Sequence, residues 1–174
     1  MSDRDLSPFF APRSIAVVGA GERATSSGGA IMQLLRQAGY GGRVVPVNPK
    51  GGTIFGYESV TSIAAIDPPV DLAVIVIRPD AILDAAKEAA DRGIKNLLIL
   101  PGGFAEAGPV GMQRNAELLK LAAARGLTVA ARHDGNVARQ GRMVRRHGAR
   151  RPRRCRAHRR IGRLLKHGNG RAGD

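Results

Sequence analysis

The stretch Asp71-Leu-Ala-Val-Ile-Val-Ile77 is an unbroken apolar run after its first residue, and it limits the fold more than any other feature. A strand that buries one face alternates apolar with polar side chains. A continuous, β-branched run must be covered on both faces. Three more runs share this character: Ser14-Ile-Ala-Val-Val-Gly19, Arg43-Val-Val-Pro-Val-Asn48 and Asn96-Leu-Leu-Ile-Leu100. Leu127-Thr-Val-Ala130 reads as a fifth strand.

Between these runs the apolar period changes from two to that of a helix. Ile31, Leu34, Leu35 and Ala38 predict a helix stopped by Gly39. Ile82, Ala85, Ala86 and Ala89 predict another, closed by Gly93, and residues 112–125 a third. Residues 55–66 read as a small strand followed by a short helix. Strands alternating with helices predict an α/β fold, a Rossmann-like doubly wound parallel sheet of about five strands. In such sheets ligands bind outside the carboxyl ends of the strands, so function is sought in the residues that follow each strand.

The charge is unevenly spread. Residues 1–130 hold 13 Lys and Arg against 12 Asp and Glu, while residues 131–174 hold 15 against 2. The chain therefore divides into a domain over 1–130 and an Arg-rich, disordered basic tail over 131–174. A single cysteine, Cys155, excludes an internal disulfide framework. No apolar run approaches a membrane span, and the N-terminus does not resemble a signal peptide. The expectation is a cytoplasmic protein with no membrane partner.

After the first strand comes Gly19-Ala-Gly-Glu-Arg-Ala-Thr-Ser-Ser-Gly-Gly29. A glycine-rich loop between strand and helix brings backbone N–H groups to a phosphate, and the helix start adds partial positive charge. Ser26 and Ser27 can cap the helix or donate hydroxyls. The competing reading is a tight turn that needs glycine for its backbone alone. Gly19, Gly21 and Ala24 fit the spacing of an NAD loop. However, the second strand ends Val47-Asn-Pro-Lys50, where NAD would require an acid for the ribose hydroxyls. Lys50 is either a second phosphate ligand or a solvated surface lysine. The third strand ends Ile77-Arg-Pro-Asp80; Arg78 can face the same crevice, and Pro79 also suits a helix start. The fourth leads into Pro101-Gly-Gly-Phe-Ala-Glu-Ala-Gly108, where Gly102 and Gly103 permit close backbone approach and Glu106 is an acceptor or a solvated loop carboxylate.

The segments FFAPRSIAVVGAGER, GGRVVPVNPK, PPVDLAVIVI and PGGFAEAG, in this order, resemble the N-terminal CoA-binding domain of NDP-forming acyl-CoA synthetases. That family includes ADP-forming acetyl-CoA synthetase, shares its fold with the succinyl-CoA synthetase α subunit, and contributes a module to certain bacterial lysine acetyltransferases. The likeness spans residues 6–130, and four ordered motifs are more specific than one glycine loop.

The resemblance implies that the strand-end loops hold coenzyme A. Gly19, Ala20, Gly21, Ser27 and Gly28 would lie along its phosphates. Val47, Asn48, Pro49 and Lys50 would meet the nucleotide end, Ile77 and Pro79 would flank the adenine or pantetheine path, and Gly102, Gly103, Phe104 and Glu106 the far side. Gly21-Glu22-Arg23 departs from the family, which often has serine and then proline there. The implied reaction is acid, CoA and ATP giving acyl-CoA, ADP and phosphate. In relatives it runs through a histidine in the next domain and an ATP-grasp part, as one chain or in paired or oligomeric subunits. No histidine precedes His133, so this chain is expected to supply a CoA platform, with no catalytic or metal residues and with ATP or ADP handled elsewhere.

The family continues its fifth strand into Gly-Pro-Asn/Asp-Ser/Thr/Cys-x-Gly. Here Ala131-Arg-His-Asp-Gly-Asn136 follows instead. Written as GCC CGA CAC GAT GGG AAC and read one base later, those codons give Pro-Asp-Thr-Met-Gly. An arginine codon CGN shifted in the same way, before a codon beginning with C, gives Val, Ala, Asp or Gly. The tail therefore reads as a frameshifted translation that truncates the family sequence. The rival is a nucleic-acid-binding tail, which residues 149–160 would suit electrostatically but which lacks aromatic residues for stacking. The further alternatives are a stand-alone CoA- or NAD-binding regulatory module and an NAD-dependent redox domain.

Overall fold

In the computed structural model, residues 6–101 and 107–131 are described. In chain order they form α1 (Ser7–Phe10), β1 (Ser14–Val18), α2 (Ser27–Gln37), β2 (Arg43–Val47), β3 (Thr53–Ile54), β4 (Tyr57–Glu58) and β5 (Leu72–Ile75). A 3₁₀ turn (Pro79–Ala81), α3 (Ile82–Asp91), β6 (Asn96–Ile99), α4 (Gly108–Arg125) and β7 (Thr128–Ala131) follow. Five strands make one sheet in the order β2-β1-β5-β6-β7, and every pairing in it is parallel. The chain leaves β1 for β2 on one side and later returns to β5 on the other. The order therefore reverses between β1 and β5, which is where such sheets open a crevice at their carboxyl rim. The expected α/β sheet is present. The expected tail beyond residue 131 lies outside the described residues.

Successive strand residues feed opposite faces. Ala16, Val18, Val45, Val47, Ala73, Ile75, Leu97 and Ile99 pack under α3 and α4, whereas Ile15, Val17, Val44, Leu72 and Val74 pack under α2. Helix α3 presents Ile82, Ala85, Ala86 and Ala89, the four residues its period predicts. Cover is incomplete toward one side: β6 alternates buried with half-buried residues, and β7 is half-buried along its length. Among the described residues no helix is long and apolar enough to cross a membrane.

The structure revises three local expectations. Helix α2 buries Gly28, Gly29 and Met32, while Leu34 is 64% exposed. The helix starts before its first large apolar residue, and two glycines that pack tightly on the preceding loop set its face. Hydrophobic period cannot register such residues. Fully burying Met32 stabilises this contact by about 1.5–3 kcal/mol.

Residues 55–66 contain no helix. Phe55 and Gly56, both with positive φ (49° and 88°), turn a two-stranded hairpin between β3 and β4. After it Val60 pairs with the edge of β2, donating its N–H to Pro46 O and accepting from Asn48 N, each at 2.9 Å, and the chain then bends and turns through residues 61–65. Lastly, β5 ends at Ile75, two residues before the apolar run does, and Asp71 caps the sheet's other end. Its Oδ2 accepts from the N–H groups of Arg13 (2.8 Å) and Ser14 (3.1 Å). The Ile66–Pro68 loop is gripped by two arginines: Arg43 reaches Asp67 O and Pro68 O, and Arg92 reaches Ile66 O and the Asp67 carboxylate.

Candidate functional site

The loop leaving β1 is shaped by three glycines. Gly19 has φ +88°, and a Cβ there would stand 2.6 Å from Val76 O. Its N–H donates to Val47 O at 3.0 Å, and Ala20 N–H reaches the same oxygen at 3.3 Å. Ser26 caps α2, accepting from Gly29 N at 3.1 Å while its hydroxyl donates to Arg23 O at 2.7 Å. A Cβ on Gly28 would lie 2.0 Å from Gly19 O, and one on Gly29 2.0 Å from Arg23 O. The helix start therefore rests on the loop at a distance only glycine allows.

Gly21 differs from these, because its nearest neighbour to such a Cβ is Ser26 Oγ at 3.9 Å. Ala24 lies exposed in the turn before the helix, so the close helix-to-loop contact falls to Gly28 and the loop is longer than the NAD spacing. The N–H groups of Gly21, Ser27 and Gly28 meet no acceptor among the described residues. Backbone donors left open at a helix start favour an anion.

The exit of β2 is held by Asn48. Its Nδ2 donates to Ala20 O and its Oδ1 accepts from Lys50 N, both at 2.9 Å. Gly51 N–H closes the turn onto Asn48 O at 2.9 Å. Lys50 is exposed.

A cavity of about 1030 Å³ opens where these loops meet the ends of β1, β2 and β5, at the upper end of the volumes small-molecule sites occupy. Of the residues singled out in the sequence, Gly19, Ser27, Val47, Pro49, Ile77 and Pro79 line it. Ala20, Gly21, Gly28, Asn48 and Lys50 do not. Gly102, Gly103, Phe104 and Glu106 lie outside the described residues.

Sequence reading missed Thr61, Ser62 and Ile63, which the bends that follow Val60 bring to the wall, and Asp84 and Glu88 on α3. The spacing of the last two, one turn apart beside an alanine face, was the available signal. Glu88 Oε1 also accepts from Ala64 N at 2.8 Å, fixing that wall. Arg78 lines the cavity too, and its 3.5 Å pair with Asp80 joins two exposed side chains, a contact worth little. Of the three open N–H donors, only that of Ser27 belongs to a lining residue, on the α2 side, while Arg78 lines the cavity together with the carboxylates of Asp84 and Glu88. No cluster of potential metal ligands exists among the described residues.

The sequence profile of the CoA binding domain family matches residues 13–133. Acetate–CoA ligase [ADP-forming] II of Archaeoglobus fulgidus is 33% identical over 72% of this chain and 19% of its own length. The α subunit of acetate–CoA ligase [ADP-forming] I of Pyrococcus furiosus is 34% identical over 71% of this chain and 28% of its own length. The chain thus spans about a fifth to a quarter of these relatives. Among solved structures, the dinucleotide forming acetyl-coenzyme A synthetase 1 of Ca. Korarchaeum cryptofilum, in complex with phosphate and ADP, superposes with a TM-score of 0.69. It is 30% identical, over 72% of this chain and 27% of that one. A conserved hypothetical protein of Pyrococcus furiosus superposes with a TM-score of 0.57 at 30% identity, over 68% of this chain and 92% of that one.

Proposed function

We propose, because this chain belongs to the CoA binding domain family, that the cavity at its carboxyl rim holds coenzyme A. The observation that carries the reading is the set of unpartnered N–H groups on Gly21, Ser27 and Gly28, beside a cavity edge made by Gly19. Gly19, Ala20, Gly21, Ser27 and Gly28 then run along the phosphates. Val47, Pro49 and Lys50 meet the nucleotide end, Lys50 supplying the cation, and Asn48 supports them. Ile77 and Pro79 flank the path of the adenine or pantetheine, with Gly102, Gly103, Phe104 and Glu106 on the far side. The end of β2 offers no carboxylate for a ribose diol, which argues for coenzyme A over NAD.

The domain is homologous to the N-terminal part of ADP-forming acetyl-CoA synthetases. We place residues 1–130 as the CoA platform of such a ligase. The acid activation and ATP chemistry belong to other domains or to a partner subunit, since no histidine precedes His133 to carry a phosphoryl group. A stand-alone CoA-binding module is the second reading, favoured by the P. furiosus protein that this domain covers over 92% of its length.

Calorimetric titration of the full chain with CoA and with NAD tests the ligand. CoA is expected to bind and NAD not to; tighter binding of NAD overturns the assignment. Supplying acetate, ATP and CoA then separates the roles: no acetyl-CoA is expected from the chain alone, and turnover would refute the platform reading.

A further inference from the structure

Asn48 lies at the meeting point of three segments, and its hydrogen-bonding groups point inward. Its backbone N–H goes to Val60 O, its Oδ1 accepts from Lys50 N, its carbonyl accepts from Gly51 N, and its Nδ2 donates to Ala20 O, all at 2.9 Å. Ala20 is therefore held at both ends. Its N–H is directed at Val47 O (3.3 Å) and its C=O at the Asn48 amide.

The Ala20–Gly21 peptide is planar and trans, so its N–H points opposite to its C=O. Fixing the carbonyl on Asn48 consequently turns the Gly21 N–H away from β2. That N–H has no acceptor among the described residues. Gly21 has room for a side chain, so its importance lies in this donor and not in close packing.

We infer that Asn48 is a positioning residue: its side-chain amide holds the Ala20–Gly21 peptide so that the Gly21 N–H is presented to a phosphate oxygen of the ligand, which Asn48 itself does not touch. The inference rests on the CoA reading of the cavity. It distinguishes Asn48 from Lys50 two residues on, whose exposed ammonium acts by charge.

Asn48→Asp tests it, because the two side chains share a shape but not a donor. At neutral pH a carboxylate oxygen would face Ala20 O, two acceptors in opposition, and the peptide would lose its orientation. Loss of one well-aimed donor to a charged oxygen corresponds to about ten- to a hundredfold in Kd. A protonated carboxyl has one O–H donor, leaving its other oxygen for Lys50 N, so it can replace both bonds. CoA affinity relative to wild type at the same pH is expected to recover as the pH falls from about 7 toward 4. The charged groups on the segments packed against Asn48 are Lys50 in its own turn, Glu22 and Arg23 in the loop after β1, and Glu58 on β4. All four are common to both proteins, as are the phosphates of CoA, so the ratio isolates residue 48.

Affinity equal to wild type at neutral pH overturns the inference, as does a weakening that does not recover on acidification. If Asn48→Asp does not fold, the wild-type chain decides by amide resonances. CoA should shift the Gly21 N–H while leaving the Asn48 side-chain NH₂ unmoved; a larger shift at Asn48 would mean direct contact and refute positioning. If wild type does not bind CoA, the reading of the cavity fails separately. The Gly21 resonance of ligand-free Asn48→Asp, compared with wild type at both pH values, then still decides the role of Asn48. A pH-dependent shift is expected, and no difference refutes it.

Discussion

Gly28→Ala adds one methyl group where α2 rests on the loop after β1. That carbon would be built 2.0 Å from Gly19 O, 2.9 Å from Gly19 C and 3.2 Å from Ala20 Cα. All three are backbone atoms, so no side chain can swing aside. Restoring an ordinary contact requires the helix start to retreat by about 1 Å, and overpacking of this kind costs about 1–3 kcal/mol. Alanine returns up to about 1 kcal/mol in helix propensity, which leaves the clash dominant. The net loss corresponds to a fall in Tm of about 3–10 °C for a domain of this size.

The same retreat moves the Ser27 and Gly28 donors, so CoA affinity should drop by about tenfold or more. The measurement is thermal unfolding by circular dichroism beside calorimetry with CoA. Gly41→Ala is the control: a Cβ at Gly41 meets nothing within 4 Å and its φ is not positive, so its stability should change by no more than about 1 kcal/mol. A Gly28→Ala protein that melts within about 1 °C of wild type and binds CoA unchanged would refute the close approach and the donor placement together.

Ser26→Ala removes the cap on α2 and should cost about 1 kcal/mol in urea unfolding; an unchanged midpoint would show that Gly29 N finds another acceptor. Lys50→Ala should leave unfolding unchanged, since the side chain is exposed, but weaken CoA binding and flatten its dependence on salt. A salt dependence equal to wild type would remove Lys50 from the phosphate path. Burial, and secondarily the charge of Asp71, raise the Tyr40 hydroxyl above its ordinary pKa of 10.0. The folded protein therefore holds that proton more tightly than the unfolded chain. This contribution is fully present below about pH 10 and is lost as the pH climbs past it toward the folded value. Tyr40→Phe should lose about 1 kcal/mol near neutrality, for its 2.8 Å bond to Pro12 O. The gap between the two proteins should then narrow as the pH rises beyond about 10, and a constant gap would contradict the shift.

What the sequence disclosed of the fold was whatever its apolar period could encode. The five strands of the parallel sheet follow from runs that lack a polar face. The inner face of α3 follows from alanines at helical spacing, and the structure buries those same residues. On helix α2 Ile31 and Leu35 pack on the core as their spacing predicts, whereas Leu34 is exposed, and the buried Gly28 and Gly29 carry no hydrophobic weight by which a period could find them. The single-turn helix α1 has no period to detect. Residues 59–66 form no helix because Val60 pairs with the edge of β2 and the chain then bends and turns through residues 61–65, a tertiary cause with no local trace.

The site divides along the same line. Gly19, Ser27, Val47, Pro49, Ile77 and Pro79 reach the cavity because they follow strands or open helices, and the rule that ligands sit at the carboxyl rim finds them. Thr61 and Ser62 reach it only because the edge pairing of Val60 bends their segment over the rim, and Glu88 because it anchors that segment through Ala64. The glycine loop shows how spacing, and not motif content, separates two readings. Gly19, Gly21 and Ala24 imitate a dinucleotide fingerprint, but Ala24 is exposed in a turn and the helix begins only at Ser27. The contact that a fingerprint makes with its third small residue is made here by Gly28 on Gly19. A longer loop leaves an additional donor, Gly21 N–H, ahead of the helix start, and Asn48 occupies the place of the ribose-binding acid and spends its amide on that loop. A ligand whose recognition is dominated by phosphates suits this arrangement better than one recognised through a ribose diol.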